Sequence, residues 1–241
     1  MRKYLSIFIS SILSGFCITF GATVYLICLH MGKSGIGVNS DLLKVIGSFM
    51  FGIGLFTIIH YGLWLYTGKV GYVLDNKPKY FIDLVVCFLG NALGCLTLSA
   101  LIGLTSQGAA LQAEATPIVD AKLNSTWYSI FIMSMMCGVM IYLAVDGHKK
   151  CQYSIGKVLF AFMPIALFIL AGFEHVVANV VYFTYAKTLT WQVVGYFILM
   201  FIGNGVGSIA IDGLLKLVAY FKKEKVDKAN ESIIEDVKKE D

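Results

Sequence analysis

The sequence predicts an all-α polytopic membrane protein whose six transmembrane helices form two inverted three-helix repeats, with the second and fifth helices broken. Three observations predict this. Apolar residues make up 58% of the chain and charged residues only 14%, with a mean hydropathy of +0.77, outside the range of soluble domains. The apolar residues gather into six stretches separated by short polar punctuation, and each approaches the about 20 residues that cross a bilayer. A motif in the third stretch also recurs in the sixth, as a repeat of three helices would require.

The first stretch, 4–29, follows Arg2 and Lys3 as a signal peptide would. Its apolar run is too long for a signal core and no small-residue cleavage site follows, so a retained helix is expected. The second, 45–61, runs into Gly62-Leu63-Trp64-Leu65-Tyr66-Thr67-Gly68-Lys69. The third, 81–105, contains Phe88-Leu89-Gly90-Asn91-Ala92-Leu93-Gly94, and the fourth spans 127–145. The fifth, 158–183, is interrupted by Gly172-Phe173-Glu174-His175. The sixth, 191–221, contains Phe201-Ile202-Gly203-Asn204-Gly205-Val206-Gly207. One channel domain is expected over 1–221, with repeats at about 3–106 and 122–221, followed by a charged tail, 222–241, that is a solvated helix or a disordered end.

Lysine placement sets the orientation, because cytoplasmic loops are enriched in Lys and Arg. Arg2 and Lys3, then Lys69, Lys77 and Lys79, then Lys149, Lys150 and Lys157, then Lys222 and Lys223 alternate with loops poorer in basic residues. Both termini are therefore expected in the cytoplasm of a multi-pass cell-membrane protein. The six cysteines are scattered without a CxxC pair and read as inert buried thiols.

The shared F-x-G-N-x-x-G pattern (Gly90, Asn91, Gly94; Gly203, Asn204, Gly207) suits close helix packing when each copy is taken alone. Its recurrence in the last helix of each half points to duplication. The middle helix of each half also carries a glycine-led break at a matching place, Gly62 and Gly172. Paired interrupted helices are the best sequence pointer to a transport site, because they turn backbone dipoles and polar side chains towards a cavity. The acid and histidine Glu174 and His175 sit in the second break. Ionisable groups at that depth are costly, which marks them as functional rather than as packing.

These residues resemble the formate/nitrite transporter family, which includes hydrosulfide channels, over nearly the whole chain. Ala171-Gly172-Phe173-Glu174-His175-Val176-Val177-Ala178-Asn179 is similar to its G-[FY]-E-H-x-x-A-N signature, and Gly62 to Gly68 to its loop motif G-x-[DE]-L-[FY]-T-G. The resemblance implies an aquaporin-like protomer with its own pore, in a homopentamer. It implies a pore centre of His175, Glu174, Thr67 and Asn179. It also implies an extracellular narrowing at Leu65 and Tyr66, a cytoplasmic constriction of Leu55, Phe51, Phe168 and Ile141, and vestibule lysines Lys122 and Lys3. The chain departs from the family pattern at Trp64, where an acid is usual, at Lys69, where a neutral residue is usual, and at Gly138, where an asparagine that reaches the histidine is common. An amphipathic helix ahead of the first span is also expected to be missing.

The physics of such a passage can be argued separately. A monovalent anion pays heavily for desolvation in a narrow apolar slit, and its neutral conjugate acid pays far less. A single histidine between two slits, itself held neutral by its dry surroundings, suits a weak-acid anion that gains a proton or a strong hydrogen bond at the centre. Glu174 is expected either to orient the ring or to pair with Lys122. His60 has no counterpart in the family pattern and reads as a helix-end or cavity-facing residue; His148 reads as solvated. The partners expected are formate or nitrite, alternatively hydrosulfide, together with the lipid bilayer. A water or neutral-solute channel is the second alternative, although none of the three prolines follows an Asn. An intramembrane enzyme lacks support, since H-E-x-x-H and a nucleophile with a matching base are missing. No cofactor, metal-ligand or nucleic-acid motif is present in the sequence.

Overall fold

The structure, a computed structural model, describes residues 2–35 and 37–240, with side chains as far as Lys225. All regular structure among them is helical. Five helices are long and apolar enough to cross a membrane: α1 (Arg2–Lys33), α2 (Ser40–His60), α4 (Tyr80–Gly103), α6 (Trp127–Lys150) and the front of α9 (Trp191–Glu240). The remaining elements are shorter. A single turn, α3 (Tyr66–Lys69), leads into a 3-10 helix, Val70–Asp75, after α2; α5 (Gly108–Leu123) joins the halves; α7 (Ser154–Leu170) and α8 (Val176–Tyr185) together make the interrupted fifth stretch. Bulky apolar side chains such as Leu5, Ile9, Phe20, Phe81, Leu89 and Ile198 stay exposed, as expected of a lipid-facing surface. Trp127 and Trp191 open α6 and α9 as exposed aromatic anchors.

Helix α1 packs between α2 and α4, and α6 packs between α7 and α9. This like-for-like arrangement has a local cause in small residues. Gly90 and Gly94 of α4 lie against Phe8, Ser11 and Ile12 of α1, while Gly203 and Gly207 of α9 lie against Phe131, Ser134 and Met135 of α6. A Cβ at any of these glycines would meet the neighbouring helix. The serines avoid a buried orphan by donating back along their own helices, Ser11 to Ile7 and Ser134 to Ile130.

The two breaks are built alike. Gly62 and Gly172 take positive φ of 65° and 71°, a conformation that costs glycine little. Each ends its helix with the same C-terminal pair of bonds. Leu63 N–H returns to Ile58 O and Phe173 N–H to Phe168 O, both at 2.9 Å, with the glycine N–H groups on Ile59 O and Ile169 O. The chain beyond has no helix to satisfy it, and the repeated asparagines do so instead. Asn91 Oδ1 accepts from Tyr66 N–H at 2.8 Å, and its Nδ2 donates to Trp64 O and Ser11 O, each at 2.9 Å. Asn204 Oδ1 accepts from Val176 N–H at 2.9 Å, and its Nδ2 donates to Glu174 O at 2.7 Å and Ser134 O at 2.8 Å. The asparagines are thus clamps on the two loops, a role beyond the packing that sequence suggested.

Helix α5 is absent from the sequence expectation, because it is alanine-rich, contains Pro117 and lacks a strong apolar stripe. It buries Leu111, Ala115 and Val119 against the core and brings Lys122 to the second break. The expected tail continues α9 as helix to Glu240; Asp241, and the side chains beyond Lys225, lie outside the described residues.

Replacing Asn204 with Ala should lower stability by roughly 2–4 kcal/mol, since a buried amide N–H and a buried carbonyl each lose their partner. Thermal unfolding of the detergent-purified protein checks this. A variant as stable as wild type would remove the clamp from the account.

Candidate functional site

The second break places His175 at the N-cap of α8, where Nδ1 accepts the Ala178 N–H at 2.9 Å. A ring so capped has its one neutral-state proton on Nε2. Nε2 lies 2.8 Å from Thr67 Oγ1, in the first turn after the other break. Both residues are buried, His175 to 2% and Thr67 to 1% exposure. The ring therefore donates to Thr67, and the threonine keeps its own hydroxyl proton for a further acceptor. A second proton on the ring would set an N–H against the Ala178 N–H, so the cap favours the neutral imidazole by geometry.

Two cavities approach this contact from opposite sides. One, of about 470 Å³, opens beside α5 and is lined by Lys122, Phe168, Glu174, Tyr25 and Tyr182 among others. The other, of about 280 Å³, opens beside α3 and is lined by Leu55, Leu65, Gly68, Lys69, His148 and Lys149 among others. Phe168 stacks on the His175 ring, with centroids 5.7 Å apart, and meets Phe51 edge-on at 6.1 Å. Phe168 thus links the first cavity to His175, Leu65 and Leu55 line the second, and Phe51 lines neither but packs against Phe168.

This placement corrects the expected grouping. Phe168 belongs with the α5 cavity and Leu55 with the α3 cavity, so they do not form one constriction. Leu65 shares its cavity with Leu55, because the loop after Gly62 turns back beneath the end of α2. Ile141 is buried in the same core and lines neither cavity. Tyr66 is not a constriction residue: its ring stacks on Phe201 at 4.2 Å and meets Phe88 at 5.7 Å, and its hydroxyl donates to Phe201 O. That hydroxyl is spent on the helix and is not offered to a passing anion.

Glu174 turns away from the imidazole. Its Oε2 accepts from Lys122 Nζ at 2.5 Å and from Asn179 Nδ2 at 2.8 Å. The ion pair is largely sealed, with side chains 12% and 7% exposed, so of the two roles open to Glu174 the pairing with Lys122 is the one taken. Asn179 supports Glu174 and also contacts Met200 Sδ; it is not at the pore centre. Lys3 does not face a cavity: it pairs with buried Asp83 at 2.6 Å. The cations at the α3 cavity are Lys69, 5.2 Å above the Trp64 ring, and Lys149, 3.9 Å above the Tyr72 ring. Neither has a carboxylate partner among the described residues. Sequence marked Lys69 and Trp64 as departures, which was the signal that they act together.

His148 is half-buried, with Nδ1 donating to Lys157 O at 2.9 Å, and so is not simply solvated. His60 ends α2, exposed between Phe56 and Tyr61, and lines neither cavity. Gly138 faces α9, where a Cβ would strike the main chain of Asn204. An asparagine there would have no room, and among the described residues Thr67 is the only side chain hydrogen-bonded to the His175 ring. Among the described residues no cluster of His, Cys, Asp or Glu could hold a metal ion.

Comparison with known proteins bears on the family and the overall fold. A family model described as "Formate/nitrite transporter" matches residues 1–218. YrhG of Bacillus subtilis, described as an uncharacterized transporter, is 30% identical over 200 residues, covering 77% of this chain and 75% of that protein. The formate channel FocA of Haemophilus influenzae is 29% identical over 189 residues, covering 74% of this chain and 65% of FocA. A solved structure titled "Pentameric formate channel with formate bound" shares the fold at a TM-score of 0.78 and 21% identity, over 91% of this chain and 98% of that one.

Removing one member of the buried Lys122–Glu174 pair should be costly, on the order of 3–5 kcal/mol, because the other charge is left uncompensated. Lys122→Met and Glu174→Met should each lower the unfolding temperature, and the double variant should recover much of the loss. Additive losses in this double-mutant cycle would show that the pair does not act as a unit.

Proposed function

This chain belongs to the formate/nitrite transporter family, a family of membrane channels rather than enzymes, and from that premise we propose that it conducts a small weak-acid monovalent anion, formate or nitrite, through a pore in each protomer of a homopentamer. The observation that carries this reading is the Thr67–His175 contact, which joins the two broken loops between the cavities. In the proposed topology six spans form two inverted repeats, the α2–α3 and α7–α8 segments each counting as one broken span. The matching asparagine clamps support that duplication. The pentamer follows from the likeness to a channel whose title calls it pentameric.

With both termini in the cytoplasm, the α3 cavity is the inner mouth and the α5 cavity the outer one. The outer slit is then Phe51 with Phe168 and the inner slit Leu55 with Leu65, opposite to the sides expected from sequence for Leu65, Phe51 and Phe168. An anion reaching the centre meets the Thr67 hydroxyl, whose proton is free because the His175 Nε2–H donates to Thr67 Oγ1. The pair is neutral, so it recognises an acceptor without holding it by charge. The apolar slits favour the neutral acid, and the capped ring suits hydrogen-bond donation better than a proton shuttle through both nitrogens. At the inner mouth Lys69 and Lys149, without carboxylate partners among the described residues, concentrate anions.

Proteoliposome uptake of formate, nitrite, hydrosulfide, acetate and chloride at two pH values tests the reading. Selective flux of formate or nitrite, rising as pH falls because more of the neutral acid is present, and at least tenfold weaker in His175→Phe, is the expected result. Water flux without anion flux would overturn it in favour of a neutral-solute channel. Lys69→Met should lower flux several-fold at low anion concentration and low salt and leave saturated flux unchanged. An equal loss at saturation would make Lys69 structural.

A further inference from the structure

The α5 cavity contains two phenols that neither the fold nor the Thr67–His175 contact explains. Tyr25 comes from α1 and Tyr182 from α8, and both line the cavity with Lys122, Glu174 and Phe168. Their side chains are well sealed, with 7% and 8% of each residue exposed. Three other buried tyrosines engage their hydroxyls, Tyr66 with Phe201 O, Tyr142 with Asp212 and Tyr185 with Thr23, whereas the Tyr72 hydroxyl, away from this cavity, is enclosed without a partner. The hydroxyls of Tyr25 and Tyr182 have no hydrogen-bond partner among the described residues, and neither oxygen is among the fully enclosed atoms without partners. A buried hydroxyl without a partner forfeits roughly 1–3 kcal/mol, and two in one cavity mark a place where something else supplies the acceptor.

The charges around them define the acceptor. Glu174 is committed to Lys122 and Asn179. The outer entrance adds Lys44, also in the lining and without a carboxylate partner among the described residues. An incoming ligand is therefore anionic and accepts hydrogen bonds. A carboxylate or nitrite spreads its charge over two oxygens and can accept from two O–H donors at once. Hydrosulfide carries its charge on one large sulfur, a weak acceptor that gains little from phenols.

We propose that Tyr25 and Tyr182 form an oxyanion-selecting subsite at the mouth of the Phe168–His175 passage, favouring formate and nitrite over hydrosulfide. The subsite rests on the anion-channel reading for its role in transport, although its ligand chemistry stands on the cavity alone. The tyrosines act before the slit, so they set which anion is presented to His175 and leave the central contact untouched.

The test uses Tyr25→Phe, Tyr182→Phe and the double variant, each retaining ring volume, alongside wild type. In proteoliposomes the half-saturating concentration for formate and nitrite should rise about tenfold in each single variant, the scale of one lost hydrogen bond to a charged group, and further in the double variant, with hydrosulfide flux within about twofold of wild type. A parallel fall for all three anions, or no change for formate and nitrite, would overturn the proposal. Saturation-transfer NMR on the formate C–H proton supplies a readout that needs no flux. The signal should be present with purified wild type and lost with the double variant; retention in the variant also overturns the subsite. Formate binding through the tyrosines without any flux would sink the channel reading and leave the subsite standing. Formate flux indifferent to the tyrosines would do the reverse. Wild type that neither binds nor carries formate would end both.

Discussion

Everything in this molecule depends on satisfying main-chain groups where two helices are deliberately interrupted inside a hydrocarbon layer. Water cannot repair such a gap, and each bare amide or carbonyl there costs several kcal/mol. Asn91 and Asn204 answer this with the same three bonds. Because each clamp also holds a carbonyl of its neighbouring long helix, Ser11 O or Ser134 O, it ties three segments at one point. The position of Thr67 and His175 is thus inherited from the clamps rather than from their own packing, and the glycines beside each asparagine let the helices come close enough for it to reach.

The clamps also make the halves comparable residue by residue, which exposes where they differ. Trp64 and Glu174 occupy the same place, each with its carbonyl on an asparagine. Each also meets a lysine. Glu174 meets Lys122 through a carboxylate, and Trp64 meets Lys69 through the face of its indole. A carboxylate cancels the cation, whereas a ring steadies it and leaves its charge in place. One fold position therefore holds a lysine whose charge is cancelled in one half and a lysine whose charge is not cancelled in the other.

Much of this was legible in the residues. The two glycine-led breaks anticipated the interruptions, the recurrence of F-x-G-N-x-x-G pointed to the like-for-like helix packing, and the Glu174-His175 pair marked a buried polar contact. What sequence could not convey was the direction of the chain after each break. That direction decides that Leu65 faces Leu55, that Tyr66 turns its hydroxyl into α9, and that Asn179 stands behind Glu174. The hidden helix α5 was missed for a related reason: a weakly apolar helix covering the top of a bundle has no need of a strong periodic stripe. Lys3 was misplaced because its partner, Asp83, lies far along the chain.

Gly138 completes the argument about the centre. As the counterpart of Gly15, it lets α6 lie directly against the main chain of Asn204, just as Gly15 lets α1 lie against Asn91. The same close approach that secures the clamp removes any side chain that could reach the imidazole from α6. His175 is then left with one backbone donor at Nδ1 and one hydroxyl at Nε2. A ring held by two such fixed partners has a single tautomer and a single orientation, which leaves the Thr67 hydroxyl proton free at this contact.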